Sequence, residues 1–161
     1  MPIQVGETLP LDLKLKEAGA SGPADVTVGD VFQGKKVVLF AVPGAFTPTC
    51  SLKHLPGFVE KADAIRGKGV DEIVCLSVND AFVMGAWGDA NGAGGKVRML
   101  ADGNGDLTGA PGLALAARGF GMGQRSQRYA LVAADGKVDA LYVEDGPGLK
   151  VSSADAVLAA L

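Results

Sequence analysis

Two runs of nearly continuous apolar residues, KKVVLFAV (35–42) and DEIVCLSV (71–78), constrain the fold of this chain more than any other feature. A strand with one face in water alternates apolar and polar residues. A strand covered on both faces does not, so runs of this kind point to the interior of a parallel sheet. Parallel neighbours need a crossover, and the segment between the runs supplies one. In SLKHLPGFVEKADAIRGKG, Phe58, Ala62 and Ile65 recur at i, i+4 and i+7, and a Gly/Lys stop follows. The stretch reads as strand, helix, strand. Pro56 has no N–H and clashes with the carbonyl four residues back, so a kink or break is expected near His54.

The same grammar extends along the chain. Asn79 or Asp80 caps a second helix with Val83, Ala86, Trp87 and Ala90 on one stripe, ended by Gly92, Gly94 and Gly95. KVRMLAD then reads as a short strand and Asn104-Gly105 as a turn. Residues 106–127 are glycine-rich with ambiguous periodicity; loop is expected, with one short helix around LALAARG. RYALVAADGKVDALYVE is a hairpin turning at Asp135-Gly136, and Ser152 with Asp155 resembles a capping box opening a last helix faced by Val157, Leu158 and Leu161. The 161 residues, 48% of them hydrophobic, suffice for one core, so residues 1–161 are expected to form a single α/β domain.

Charge excludes some functions. A net charge of −3 with scattered lysines and arginines offers no basic stripe for nucleic acid. MPIQVGETLPLDLKL lacks a basic region followed by an apolar core, and VVLFAVPGAF is too short and too interrupted to span a membrane, so a soluble cytoplasmic protein is expected. Two cysteines and one histidine are too few for a structural zinc site, and no metal or organic cofactor is expected. Gly119-x-Gly121-x-Gly123 lacks the strand and crossover of a dinucleotide site, and Asp102-x-Asn104-x-Asp106 lacks the glycine and distal acid of a calcium loop.

One cysteine is oddly placed. In PGAFTPTC (43–50), Cys50 follows a Pro-Gly turn at the end of the first strand and opens the helix. Unsatisfied N–H groups and the helix dipole at such a place favour thiolate over thiol, which makes the sulfur a nucleophile. A small buried hydrophobe is the plain alternative. Company favours chemistry: Thr47 and Thr49 put hydroxyls beside the thiol, Pro43 and Pro48 fix the loop, and sites in α/β sheets form at the carboxyl ends of strands. A dithiol oxidoreductase is poorly supported, because Thr47 stands where Cys-x-x-Cys would need its first cysteine.

The P-x-x-x-T-x-x-C pattern resembles the peroxiredoxin active-site motif. The wider strings VPGAFTPTCSLKHLPGFVEKA, CLSVNDAFVMGAW and GKVRMLAD are similar to the peroxiredoxin-5 or plant type II subfamily in particular, over residues 3–161. The resemblance implies a thioredoxin-like fold, a central mixed sheet flanked by helices, that reduces hydrogen peroxide and organic hydroperoxides. It implies Cys50 as the peroxidatic thiolate, Thr47 as the hydroxyl that holds the peroxide, Pro43 as a shield against water and Arg128 as the active-site arginine, with Gly44 and His54 beside the pocket. Topology argues for Arg128 independently. If 128–133 runs antiparallel to 37–42, its first residue meets the loop after the first strand, where its charge would stabilise the thiolate. The alternative is an exposed arginine starting an edge strand, and Arg125 reads as a loop charge.

His54 lies four residues after Cys50, but helix geometry is expected to point both side chains outward rather than at one another, so a lesser role than general base is expected. Cys75 lies mid-strand, roughly 10 Å short of the edge that carries Cys50. A disulfide needs Cα atoms within about 7 Å, so pairing would demand local unfolding. The plant members share a cysteine there, which keeps an intramolecular disulfide open. Animal relatives carry a resolving cysteine in a Gly-Leu-x-Cys stretch, where this chain has Gly148-Leu149-Lys150-Val151. The resemblance therefore implies an external reductant, glutathione, glutaredoxin or thioredoxin, and a homodimer. The alternative function is a peroxide sensor or relay that passes a disulfide to a client protein.

Overall fold

A computed structural model describes residues 3–19, 22–110, 112–146 and 148–161. The two apolar runs are β3 (Lys36–Val42) and β4 (Glu72–Ser77), paired in parallel, with β4 in turn parallel to β5 (Arg98–Ala101). The helix between β3 and β4 is α2 (Leu55–Arg66), and the one between β4 and β5 is α3 (Ala81–Ala90). β1 (Lys14–Gly19) and β2 (Gly22–Thr27) extend the sheet antiparallel on the β5 side; β8 (Tyr129–Ala134) and β9 (Lys137–Val143) extend it antiparallel on the β3 side. The order is β2-β1-β5-β4-β3-β8-β9.

The lack of alternation in β3 has a direct explanation. Val38, Phe40 and Val42 point into one apolar layer with Leu55, Phe58 and Ile65 of α2, Trp87 of α3 and Val157 of α5 (Ala154–Ala160). Val37, Leu39 and Ala41 point into a second layer, with Val31 and Phe32 of α1 (Val28–Phe32). Both faces are covered, so neither set can be polar. The hairpin turn also forms as read, with Asp135 at φ 51° and Gly136 at φ 80°, the left-handed pair that matches strand twist.

Three local expectations need correction. The buried face of α3 is Ala81, Met84, Trp87 and Gly88 rather than Val83, Ala86, Trp87 and Ala90. Glycines decide it: a Cβ on Gly85 would lie 2.7 Å from the Ala18 side chain, and one on Gly88 would lie 2.8 Å from Met99. The helix thus docks through its bare positions, which hydrophobicity does not reveal. The last helix is capped by Ser153, not Ser152; the Ser153 side chain accepts from the Ala156 N–H, and Ser152 is engaged elsewhere.

The third correction is the LALAARG segment, which is a short strand running into a 3-10 turn rather than an α-helix. α4 (Asp106–Gly109) is capped by Asp102, whose carboxylate accepts from the Leu107 and Thr108 N–H groups, so the calcium-like aspartate is a cap. β6 (Ala114–Ala116) then pairs antiparallel with β7 (Gln124–Ser126) across a 3-10 turn at Arg118–Phe120. Gly121 at φ 70° and Gly123 at φ 66° close this small hairpin, a job that left-handed backbone gives to glycine.

Candidate active site

The sheet edge where β3 ends carries the site. After Val42 the chain leaves through Pro43 and Gly44, and Asn79 at the end of β4 holds the loop by accepting from the Ala45 N–H at 3.0 Å. Phe46 adopts φ 62°, uncommon for a side chain of its size. Helical structure begins at Pro48, where a missing N–H costs nothing. Thr47 just precedes it, with its hydroxyl donating to the Gly44 carbonyl at 2.7 Å.

Cys50–His54 is a π-helical turn, and the Leu55 N–H reaches back five residues to the Cys50 carbonyl before α2 continues with Pro56 in its first turn. The kink expected from Pro56 therefore takes the form of a widened turn, a local irregularity often found at functional positions. The direction of the side chains differs from expectation. Cys50 and His54 both face inward and are fully buried. They do not bond to each other, because Arg128 stands between them.

Register explains how Arg128 arrives. β8 runs antiparallel to β3 with Tyr129 opposite Ala41, so the preceding residue lies over the end of β3 beside the Cys50 turn. Arg128 is itself buried. Its Nη2 donates to Cys50 Sγ at 3.1 Å and its Nη1 lies 2.9 Å from His54 Nδ1, while its buried Nε has no partner. His54 Nε2 lies 2.9 Å from the Ser152 carbonyl. A carbonyl only accepts, so Nε2 carries the proton and Nδ1 accepts from the arginine. The neutral ring is expected on electrostatic grounds too: burial first, then the neighbouring Arg128 charge, lowers the His54 pKa from 6.5 to about 3. Phe40 and Phe58 flank the imidazole, with ring centroids at 4.9 and 5.6 Å.

Above this assembly opens a pocket of about 490 Å3. Pro43, Thr47, Pro48 and Thr49 line one side and Arg128 its floor; Leu115, Ala117, Phe120 and Met122 of the small hairpin face them. Gly44 is what lets the hairpin come close. A Cβ there would sit 3.1 Å from both Met122 Cε and Thr47 Cγ2 and 3.2 Å from Arg125 Nη1. Arg125 is more than a loop charge: its Nε donates to the Met122 carbonyl at 2.9 Å and its Nη1 lies 3.5 Å from the Pro43 carbonyl, tying hairpin to loop.

Cys75 remains apart. It sits in β4 with Phe40 and Met99 as neighbours on the adjoining strands, fully buried, and both cysteines are free thiols. Burial, and after it the proximity of Cys50, pushes the Cys75 thiol well above its ordinary range. Val151, where a resolving cysteine would stand, contributes only its backbone N–H to Glu144 at 2.9 Å. Among the described residues no three His, Cys, Asp or Glu side chains converge as a metal site, and no helix is long and apolar enough to cross a membrane.

The redoxin family profile matches residues 4–158. The chain belongs to the redoxin family, as a type II peroxiredoxin. Peroxiredoxin-2B of Arabidopsis thaliana is 53% identical over 135 residues, covering 84% of this chain and 83% of its own length. Chloroplastic peroxiredoxin-2E of the same plant is 50% identical across 99% of this chain and 69% of its own. Among solved structures, reduced Prx3 of Vibrio vulnificus in complex with hydrogen peroxide superposes with a TM-score of 0.93 at 51% identity, covering 98% of each chain. The peroxiredoxin thus has the thioredoxin-like fold expected of it, and it is a thiol peroxidase that works through a cysteine, with a peroxide as substrate and a thiol as reductant.

Two groups beside this peroxiredoxin's candidate site escaped the sequence. Ser152 precedes a helix and carries no local signal of its contact with His54, 98 residues away, and Glu144 ends a strand-like run that carries none of its contact with Ser152. Arg125 was visible only as one of two nearby arginines.

Proposed function

We propose that Cys50 is the peroxidatic residue and that this protein reduces hydrogen peroxide and organic hydroperoxides, drawing electrons from glutathione with glutaredoxin, or from thioredoxin, in a reducing compartment such as the cytoplasm. The contact of Arg128 Nη2 with Cys50 Sγ at 3.1 Å, beneath a pocket walled by Pro43 and Thr47, carries the reading.

In the proposed step the Cys50 thiolate attacks the terminal peroxide oxygen in line. The S–O bond forms as the O–O bond breaks, sulfur is oxidised to the sulfenic acid, and the departing alkoxide or hydroxide takes a proton to leave as alcohol or water. The Thr47 hydroxyl proton is committed to the Gly44 carbonyl, so its lone pairs face the pocket as acceptors for the peroxide O–H. The buried, unpartnered Nε of Arg128 is a donor in waiting for charge that develops on the cleaved oxygens. Pro43 limits water at the sulfur, and Gly44 and His54 support the pocket. An incoming thiol then displaces water from the sulfenic acid to give a mixed disulfide, and a second thiol releases Cys50. Val151 supplies no sulfur and Cys75 lies within the sheet, which favours an outside thiol over an internal disulfide. Exposed Phe46 and Leu52, beside the reactive turn, offer apolar surface for a homodimer.

Mass spectrometry after one equivalent of hydrogen peroxide tests the reading. Wild type and Cys75→Ser are both expected to show a sulfenate on Cys50 that becomes a glutathione adduct when glutathione is present. An unmodified Cys50 would sink the assignment, and a Cys50–Cys75 disulfide confined to wild type would replace the outside thiol with an internal partner.

A further inference from the structure

The hydrogen bonds around Arg128 form a closed circuit, and two of its links run through Glu144, a residue that also lines the pocket. Glu144 is buried at the end of β9. Its Oε2 accepts the N–H groups of three consecutive residues, Lys150 at 2.9 Å, Val151 at 2.9 Å and Ser152 at 2.8 Å, together with the Ser152 hydroxyl at 2.7 Å. Consecutive N–H groups converging on one oxygen make an anion-binding nest, here filled by the protein's own side chain. The nest turns the Ser152 carbonyl towards His54, which donates to it through Nε2 and accepts from Arg128 Nη1 through Nδ1. The Glu144 N–H donates to the Arg128 carbonyl at 2.9 Å and completes the ring. Arg128 is thereby held at its backbone and at one guanidinium nitrogen, leaving Nη2 on the sulfur.

We propose that Glu144 is a positioning residue of the peroxidase: by fixing the 150–152 backbone it dictates the His54 tautomer, and through that tautomer it aims Arg128 at Cys50. The imidazole is the selective element in this chain of contacts. With its proton on Nε2 it presents a lone pair to Arg128; with the proton on Nδ1 it would set an N–H against a guanidinium N–H and push the arginine away. Burial pushes the Glu144 carboxyl up, and the hydrogen bonds from Ser152, Lys150 and Val151 outweigh it and hold the group below its ordinary range, in keeping with a carboxylate that stays charged in the folded protein.

The chain has a single histidine, so nitrogen-15 NMR of the ring reports this one tautomer without overlap. Resting wild type is expected to show the Nε2–H form alone. Glu144→Gln, which removes the negative charge that draws three N–H groups and a hydroxyl onto one oxygen and turns the second oxygen into a donating amide, is expected to give a tautomer mixture and to lower the second-order rate constant of Cys50 with hydrogen peroxide roughly tenfold. In a double-mutant cycle with His54→Gln, the second substitution is expected to cost little beyond the first, because both act through Arg128. A folded Glu144→Gln protein with the wild-type tautomer and rate overturns the proposal, as does full additivity in the cycle. If Glu144→Gln does not fold, Ser152→Ala, which removes one of the four donors, decides on the same readouts with a twofold to threefold loss expected; wild-type values there overturn it. The rate depends on the peroxidase reading above, whereas the tautomer is read without peroxide. A wild type inert to peroxide would refute that reading and leave the positioning geometry separately measured.

Discussion

The two cysteines of this chain are equally buried and belong to the same apolar layer, yet their surroundings have little in common. Cys75 lies within a regular strand, between Phe40 and Met99, where desolvation opposes any charge on sulfur. Cys50 lies in a widened turn just past a strand end, where a buried guanidinium donates to it and a pocket opens above. Burial by itself makes a thiol inert. What distinguishes the second environment is a cation that is buried with the sulfur and already held in place by a neutral histidine. The difference comes from position along the strand: in mid-sheet the flanking strands and the apolar faces of covering helices enclose the sulfur, while at the carboxyl edge loops can bring in polar groups from distant parts of the chain.

Substituting the sulfurs separately is the strongest test of this contrast. Cys50→Ser is expected to abolish peroxide consumption, and Cys75→Ser to leave the rate within about twofold of wild type, as measured by steady-state turnover with a thiol reductant. Comparable losses in both would erase the distinction between the sites. The cation comes next. Arg128→Gln removes the charge while leaving the sulfur and pocket, and the rate constant for Cys50 oxidation is expected to fall about 10²- to 10³-fold, the usual scale for losing one preorganised donor. Stopped-flow mixing with hydrogen peroxide would read it, and an unchanged constant would mean that the turn alone activates the sulfur.

A smaller effect, on stability, sharpens the role of the buried histidine. His54 has a folded-state pKa of about 3 against 6.5 when free, so the unfolded chain binds a proton in that window and the folded one does not. Stability from the neutral imidazole is therefore complete above about pH 6.5 and is lost as pH falls towards 3. Denaturant titrations are expected to show wild type losing on the order of 4 kcal/mol more than His54→Gln across that window. Parallel curves for the two proteins would place a water or a charge beside the ring.

Legibility followed sequence separation. The apolar runs at 35–42 and 71–78, the helical spacing of Phe58, Ala62 and Ile65, and the Asp135-Gly136 turn are local patterns with local causes, and the structure contains each of them. Arg128 was reachable because antiparallel pairing of one strand with β3 fixes where its first residue falls. The inward face of His54 was not reachable. An ideal α-turn suggested outward side chains, and the π-helical turn ahead of Pro56 set a different course. Arg125, Glu144 and Ser152 lay further beyond reach, since their meaning depends on partners 82, 8 and 98 residues away in loops whose paths have no periodic signal.

Local pattern along the chain specifies a buried parallel sheet, the crossover helix, and a cysteine set after a Pro-Gly turn at a strand end, because hydrophobic periodicity and turn chemistry act between near neighbours. Strand pairing added Arg128 to that list, whereas the histidine tautomer that holds the cation and the carboxylate in the circuit follow from three-dimensional packing alone. Those choices belong to hydrogen bonds made inside a water-excluded space, and that space exists only once the distant segments have packed together.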